Sequence, residues 1–77
     1  MTVKRLNEIA KRTNQIRIES RMHEVNSMYE IDSASLAEEL LHFSDELLLV
    51  GTNYKYFWLK QSVLQDIHDV VDELLNK

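Results

Sequence analysis

Apolar residues recur every three or four positions over most of the chain, which is the spacing of amphipathic α-helices. The pattern is clearest at residues 53–75, where one broad apolar stripe faces a polar side and predicts helix 3. Thr52 or Asn53 precedes the stripe and is the predicted N-cap. The stripe consists of Tyr56, Leu59, Val63, Ile67, Val70 and Leu74, and it is widened by Phe57, Leu64 and Val71.

The predicted helix 2 spans residues 35–50 and is apolar on two sides. Ser35 and Glu38 have the spacing of a capping box, with Asp32 and Ser33 as alternative caps. Gly51 follows the helix and predicts a left-handed stop. A helix that is apolar over most of its girth belongs in the middle of a bundle. Its two seams are Leu36, Leu40, Phe43, Leu47 and Val50, and Ala37, Leu41, Ser44 and Leu48.

The predicted helix 1 spans residues 3–29, with Thr2 as its cap, and it carries two separate apolar stripes. The second stripe is rotated by most of a half-turn from the first. Either the helix breaks near Thr13–Gln15, or it contacts different partners along its length. The stripes are Leu6, Ile9, Thr13 and Ile16, and Ile18, Met22, Val25 and Tyr29.

These patterns predict an all-α fold in one domain, residues 1–77, with a long helix 1 and a hairpin of helices 2 and 3. A strand-rich fold would need more turn residues than one Gly and no Pro. A chain of 77 residues buries only about 60% of its unfolded surface and usually needs a further source of stability. Without Cys, disulfides are excluded. We therefore expect the bundle to be completed by homo-oligomerisation, as a dimer or larger.

The sequence argues against several classes of protein, namely membrane-spanning proteins, secreted proteins and enzymes. The longest apolar run, Leu47–Val50, is far too short to cross a bilayer, and Met1 leads into a polar segment unlike a signal peptide. We therefore expect a cytoplasmic protein without membrane contact, in keeping with its lack of Cys. The single Gly excludes Gly-rich phosphate loops, and no nucleophile motif is present. We expect no enzymatic activity and no cofactor.

The segment around His42 matches part of a metal-binding pattern. Glu39 and His42 have the spacing of half a carboxylate-bridged di-iron site, and Glu38 stands one turn before His42. Such a site needs a second Glu-x-x-His and two further Glu residues, which the chain lacks. We therefore predict no metal site.

Charge is distributed unevenly along the chain. Residues 1–23 carry six basic and two acidic side chains, a net charge of +4, whereas residues 24–77 carry three basic and eleven acidic side chains, a net charge of −8. The basic helix 1 gives an alternative hypothesis, a helical oligomer that binds nucleic acid or a nucleotide. Its candidate contacts are Lys4, Arg5, Lys11 and Arg12.

Trp58 is the most informative single residue, because it lies about 180° from Ile67 on the otherwise polar side of helix 3. Tyr54 is one turn earlier. Such aromatic residues are typical of contact hot spots; the alternatives are that helix 1 covers them or that they line a small-molecule pocket. We predict a small interaction protein, a regulator or inhibitor of the bacterial or phage type that occludes a partner protein's surface. The candidate contacts are Tyr54, Trp58, Met22, Val25 and Tyr29.

Two segments of the chain give a further alternative. Ile18-Glu19 and Phe43-Ser44-Asp45-Glu46-Leu47-Leu48 resemble, in spacing, motifs of the small sporulation-regulating aspartyl-phosphate phosphatases of bacilli. The resemblance covers about 35 residues. Asp45 stands where that family has Gln, and Leu48 where it has Asp, so no catalytic residue is carried over. The resemblance implies a helical protein that docks on a response regulator.

Overall fold

The structure is a computed structural model that describes residues 1–26, 28–49, 51 and 54–76. It contains three α-helices, α1 (Val3–Val25), α2 (Ser33–Leu49) and α3 (Phe57–Leu75), and a 3-10 turn, Tyr54–Tyr56, leads into α3. Over the described ranges no strand occurs, so the all-α prediction is confirmed. Three residues with predicted roles lie outside these ranges: Val50, the predicted last residue of helix 2, and Thr52 and Asn53, the predicted caps of helix 3.

The first helix is continuous but shorter than predicted. Thr2 caps it, because its side-chain oxygen accepts a hydrogen bond of 3.1 Å from the N–H of Arg5. No break occurs near Thr13–Gln15. The prediction that the helix reaches Tyr29 is wrong: it ends at Val25, and Asn26 has an extended backbone. The Asn26 side chain accepts from the N–H of Met28, a local bond that competes with helix continuation.

The second helix begins with a different cap from the one first expected. The Asp32 carboxylate accepts hydrogen bonds from the N–H and the hydroxyl of Ser35, and these bonds lower the pKa of Asp32. The alternative cap is therefore confirmed, and the Ser35–Glu38 capping box is wrong. The left-handed stop at Gly51 is also wrong, because its φ is not positive and a Cβ there would meet no heavy atom within 4 Å.

The three helices pack side by side in a molecule of 43 × 16 × 15 Å. Ion pairs give their directions: Arg5 and Arg12 of α1 contact Glu46 and Glu39 of α2, so these helices are antiparallel. Arg17 contacts Asp66 of α3, and further along both helices Arg21 contacts Glu73, so α1 and α3 are parallel. The α-amino group of Met1 donates to the carbonyl of Gly51, which places the start of α1 beside the α2–α3 connection. None of the helices within the described residues has the length and hydropathy of a membrane span.

Each helix contributes one face to a shared core. The predicted stripe of α3 is buried from Val63 to Leu74, whereas Tyr56 and Leu59 are partly buried and Phe57 is exposed. On α1 only the first stripe is buried, and the Thr13 hydroxyl is satisfied there by the carbonyl of Ile9 at 2.8 Å. On α2 the buried positions come from both predicted seams, since the helix packs against two neighbours. The buried apolar residues are Leu6, Ile9, Ile16, Ala37, Leu40, Leu47, Val63, Leu64, Ile67, Val70, Val71 and Leu74.

Candidate interaction surfaces

The aromatic surface, which consists of Tyr54, Phe57 and Trp58, lies where the 3-10 turn enters α3. Tyr54 is 92% exposed, Trp58 70% and Phe57 53%. Together with Lys55 these side chains line an open cleft of about 360 Å³. The alternative that helix 1 covers Trp58 is wrong, because α1 uses Arg17 and Arg21 to contact the adjacent flank of α3 and leaves this face exposed.

The outer surface of α1, which consists of Ile18, Met22 and Val25, is the second stripe that sequence analysis identified. Val25 is 90% exposed and Ile18 58%. With Arg21 and Asn26 these residues line a shallow hollow of about 420 Å³. Tyr29 does not belong to it. Tyr29 lies in the connecting loop, where its N–H donates to the carbonyl of Asn26 and its own carbonyl contacts Nδ1 of His23.

The candidate contact residues therefore form two sites, not one. The aromatic surface lies at the end of the molecule where Met1 contacts Gly51. Val25 ends α1 at the opposite end, about 33 Å away along the helix axis at 1.5 Å per residue. A partner that contacts Trp58 and Val25 together would have to extend over most of the length of the molecule.

A further apolar surface, the leucine flank, consists of Leu41 and Leu48 on α2. They are 46% and 64% exposed, one heptad apart. At 100° per residue they lie about 160° around α2 from Glu39 and Glu46, the residues that contact α1. The sequence pattern does not predict the leucine flank as an exposed surface, although both residues belong to the second seam of helix 2. The seam alone did not show which side of α2 faces helix 1.

The predicted nucleic-acid contacts are divided by the structure into paired and exposed groups. Arg5 binds Glu46 through two hydrogen bonds of 2.7 and 2.8 Å, and Arg12 binds Glu39 through two of 2.6 and 2.9 Å. Lys4 and Lys11 are exposed. Two of the four proposed phosphate contacts are thus already engaged by carboxylates of the same chain.

The two bidentate pairs make stability depend on pH. The hydrogen bonds from Arg12 and Arg5 lower the pKa values of Glu39 and Glu46, respectively. Because the unfolded chain then binds protons more readily than the folded chain, the free energy of unfolding has its full contribution above the ordinary Glu pKa of about 4.3. That contribution is lost as the pH falls through the lowered values.

We expect Glu39→Gln to lower the free energy of unfolding by about 0.5–1 kcal/mol at pH 7, the range of a partly exposed ion pair. The difference between native and variant proteins shrinks toward zero as the pH falls below about 4, because protonation removes the same charge. Urea unfolding between pH 3 and 7 measures it. Glu38→Gln is the matched control, because Glu38 is exposed and its contact with the exposed His42 is long, at 3.9 Å. Equal effects of the two substitutions at pH 7 would contradict the assignment.

The His and carboxylate groups are not assembled into a site. Glu39 is committed to Arg12, whereas Glu38 and His42 are each 74% exposed on the side chain. Across the part of the chain that the structure describes, no group of three or more His, Asp or Glu residues has the geometry to hold a metal ion.

Comparison of the chain with protein families, with curated proteins and with solved structures finds no match. The resemblance to the sporulation phosphatases therefore rests on the two quoted segments. The two segments differ from each other in exposure, since Ile18 is exposed on the outer face of α1 and Ser44 is buried in the core. The cytoplasmic location stays a prediction.

Proposed function

We propose that this protein is a small, non-enzymatic helical interaction module, a regulator or inhibitor that occludes a working surface of another protein. The observation that carries the proposal is the aromatic surface, where Tyr54 of the 3-10 turn and Trp58 of α3 have most of their area exposed. Exposed contiguous apolar patches are uncommon on monomers unless they bind something. Trp and Tyr are also the residues most enriched at binding hot spots.

The shape of the aromatic surface favours a macromolecular partner. Its cleft is open to solvent, and among the described residues it is lined by Tyr54, Lys55, Phe57 and Trp58. Small-molecule sites bury most of their ligand among convergent polar and apolar groups. A helix or loop of a partner could instead lie across the rings and exclude water from them. Binding of this kind blocks whatever else uses that partner surface, and it needs no chemistry from this chain.

Self-association is part of the same proposal. The outer surface of α1 and the leucine flank leave further apolar area exposed, which supports a bundle completed by additional copies. The nucleic-acid alternative has weaker support, because two of its four candidate contacts, Arg5 and Arg12, donate to Glu46 and Glu39, which leaves the exposed Lys4 and Lys11.

The proposal is tested by photo-crosslinking in cells that produce the protein. A benzophenone amino acid at position 54 should form an adduct with one partner protein, identified by mass spectrometry. The same probe at Asp45, on the exposed side of α2, is the control and should not form that adduct. Identical adducts at both positions would indicate non-specific capture and would count against the proposal.

The identified partner then allows the energetic test. We expect Trp58→Ala to weaken binding by about 2 kcal/mol or more, roughly thirtyfold in Kd, because a hot-spot aromatic side chain is removed. Calorimetric titration with the purified partner measures it. Gln65→Ala, two turns further along the same exposed face, should change Kd by less than about twofold. Unchanged binding by Trp58→Ala would place the site elsewhere.

A further inference from the structure

The outer face of α1, opposite the buried stripe, changes character halfway along the helix. Lys4 and Lys11 are exposed on its N-terminal half. Ile18, Met22 and Val25 continue the same face on the C-terminal half. At 100° per residue all five lie within about 60° of one another around the helix axis. This face is therefore basic at one end and apolar at the other.

The outer face of α3 and its leading turn has the complementary composition. Tyr54 and Trp58 occupy the N-terminal end. Asp69 and Asp72 are exposed at the C-terminal end and fall on the same side of the helix. Gln65 lies between the aromatic pair and the aspartate pair, and its side-chain amide donates a hydrogen bond of 3.0 Å to Asp69. This face is therefore aromatic at one end and acidic at the other.

The two faces also match in spacing. On α1 the centre of the lysine pair and the centre of the apolar group are about 14 residues apart, or about 21 Å at 1.5 Å per residue. Along α3 and its leading turn the centre of the aromatic pair and the centre of the aspartate pair are about 14.5 residues, or about 22 Å, apart. One antiparallel register therefore brings both pairs of groups together at once.

We propose that the outer face of α1 docks antiparallel on the outer face of α3 of a second copy of this chain. Lys4 and Lys11 then meet Asp72 and Asp69, while the outer surface of α1 covers Tyr54 and Trp58. The other pairings of these two faces are unfavourable, because they oppose like charges or place charged side chains against apolar ones. Parallel α1–α1 contacts oppose lysines, and parallel α3–α3 contacts oppose aspartates. Antiparallel α1–α1 or α3–α3 contacts, and the parallel α1–α3 contact, place charges against apolar side chains.

The outer faces of α1 and α3 each lie opposite the buried side of their own helix and point away from the core in different directions. Two copies therefore cannot make the contact twice around one twofold axis, and the contact is heterologous. Each assembly keeps one free α1 face and one free α3 face, and the average mass rises with concentration instead of stopping at a dimer. A single helix-to-helix contact buries less than the roughly 1,200 Å² typical of stable complexes, so association is weak and reversible. Salt weakens it further by screening the exposed charges.

The inference rests on the self-association part of the proposed function, and its test needs only the purified chain. Sedimentation velocity over two decades of protein concentration measures the association constant. We expect Lys4→Glu/Lys11→Glu to lower it by about tenfold or more, because two exposed attractions become repulsions. Adding Asp69→Lys/Asp72→Lys to that variant restores it, since both ends of the contact are then reversed.

The matched control adds Glu38→Lys/Asp45→Lys to Lys4→Glu/Lys11→Glu. These two acids lie on the exposed side of α2, and both fourfold variants keep the native net charge of −4. Only the α3 reversal should restore association. Restoration by both fourfold variants would show an effect of net charge alone and would overturn the inference. A monomer at every concentration, or a closed dimer unaffected by Lys4→Glu/Lys11→Glu, would also overturn it.

The outcomes separate this inference from the proposed function. A chain that stays monomeric but still forms a specific adduct at position 54 with another protein retains the function and loses the inference. A chain that associates as described and crosslinks at that position only to itself retains the inference and loses the proposed regulation of another protein.

Discussion

Replacing Leu47 with Asp is expected to unfold the chain at neutral pH. Leu47 is fully buried in the core that the three helices share. A carboxylate placed there without a partner costs several kcal/mol whether it stays charged or takes up a proton. A chain of this length has a total stability of roughly 4–12 kcal/mol at 0.05–0.15 kcal/mol per residue. One such substitution therefore removes much or all of the folding free energy.

The adjacent residue supplies the control. Leu48 is 64% exposed on the leucine flank, so Leu48→Asp should keep the native helical spectrum and a cooperative urea transition. Far-ultraviolet circular dichroism and urea titration of both variants measure the difference, and Leu40→Asp should behave like Leu47→Asp. A folded Leu47→Asp protein, or an unfolded Leu48→Asp protein, would mean that α2 is rotated about its axis relative to this structure.

Replacing Ile9 with Ala is expected to lower the free energy of unfolding by about 2–5 kcal/mol, the range for removing a large aliphatic side chain from a packed core. Ile9 is fully buried. For a domain of this size each kcal/mol corresponds to a shift of about 4–8 °C in the melting temperature. The native fold should survive at low temperature, with a much lower transition midpoint.

Ile18 on the same helix provides a control of the same residue type. It is 58% exposed on the outer surface of α1, so Ile18→Ala should change stability by no more than about 0.5 kcal/mol. Urea unfolding of the two variants at low protein concentration, where self-association is minimal, compares them directly. Equal losses would show that α1 is packed on both sides and that its second stripe belongs to the core.

The helices themselves follow from local patterns. Repeats of three and four residues predict amphipathic helices whatever their neighbours, and helix 3 has one apolar stripe, so its buried side was unambiguous. Thr2 was correctly identified as a cap because capping involves only the next few residues. The end of helix 1 was missed, because the side-chain bond from Asn26 that competes with the helix does not alter the apolar spacing.

Local patterns do not determine which apolar side of helices 1 and 2 faces the core. Helix 1 offered two stripes, and the structure buries the one that contains Ile9, with bidentate pairs such as Arg12–Glu39 beside the helix contacts. Residues 27 positions apart in the sequence meet only once α1 and α2 lie antiparallel. The engagement of Arg5 and Arg12 with carboxylates, which reduces the support for nucleic-acid binding, could therefore not be read from residue types.

The sequence by itself determined that this protein forms three helices and that Tyr54 and Trp58 lie opposite the core side of the third, because periodicity fixes directions around one helix axis. Only the tertiary structure decided that α1 leaves these rings uncovered and that Met22 and Val25 form a separate surface. The physical reason is that exposure is set by where neighbouring helices lie, and their positions depend on the sum of many weak contacts across the whole chain.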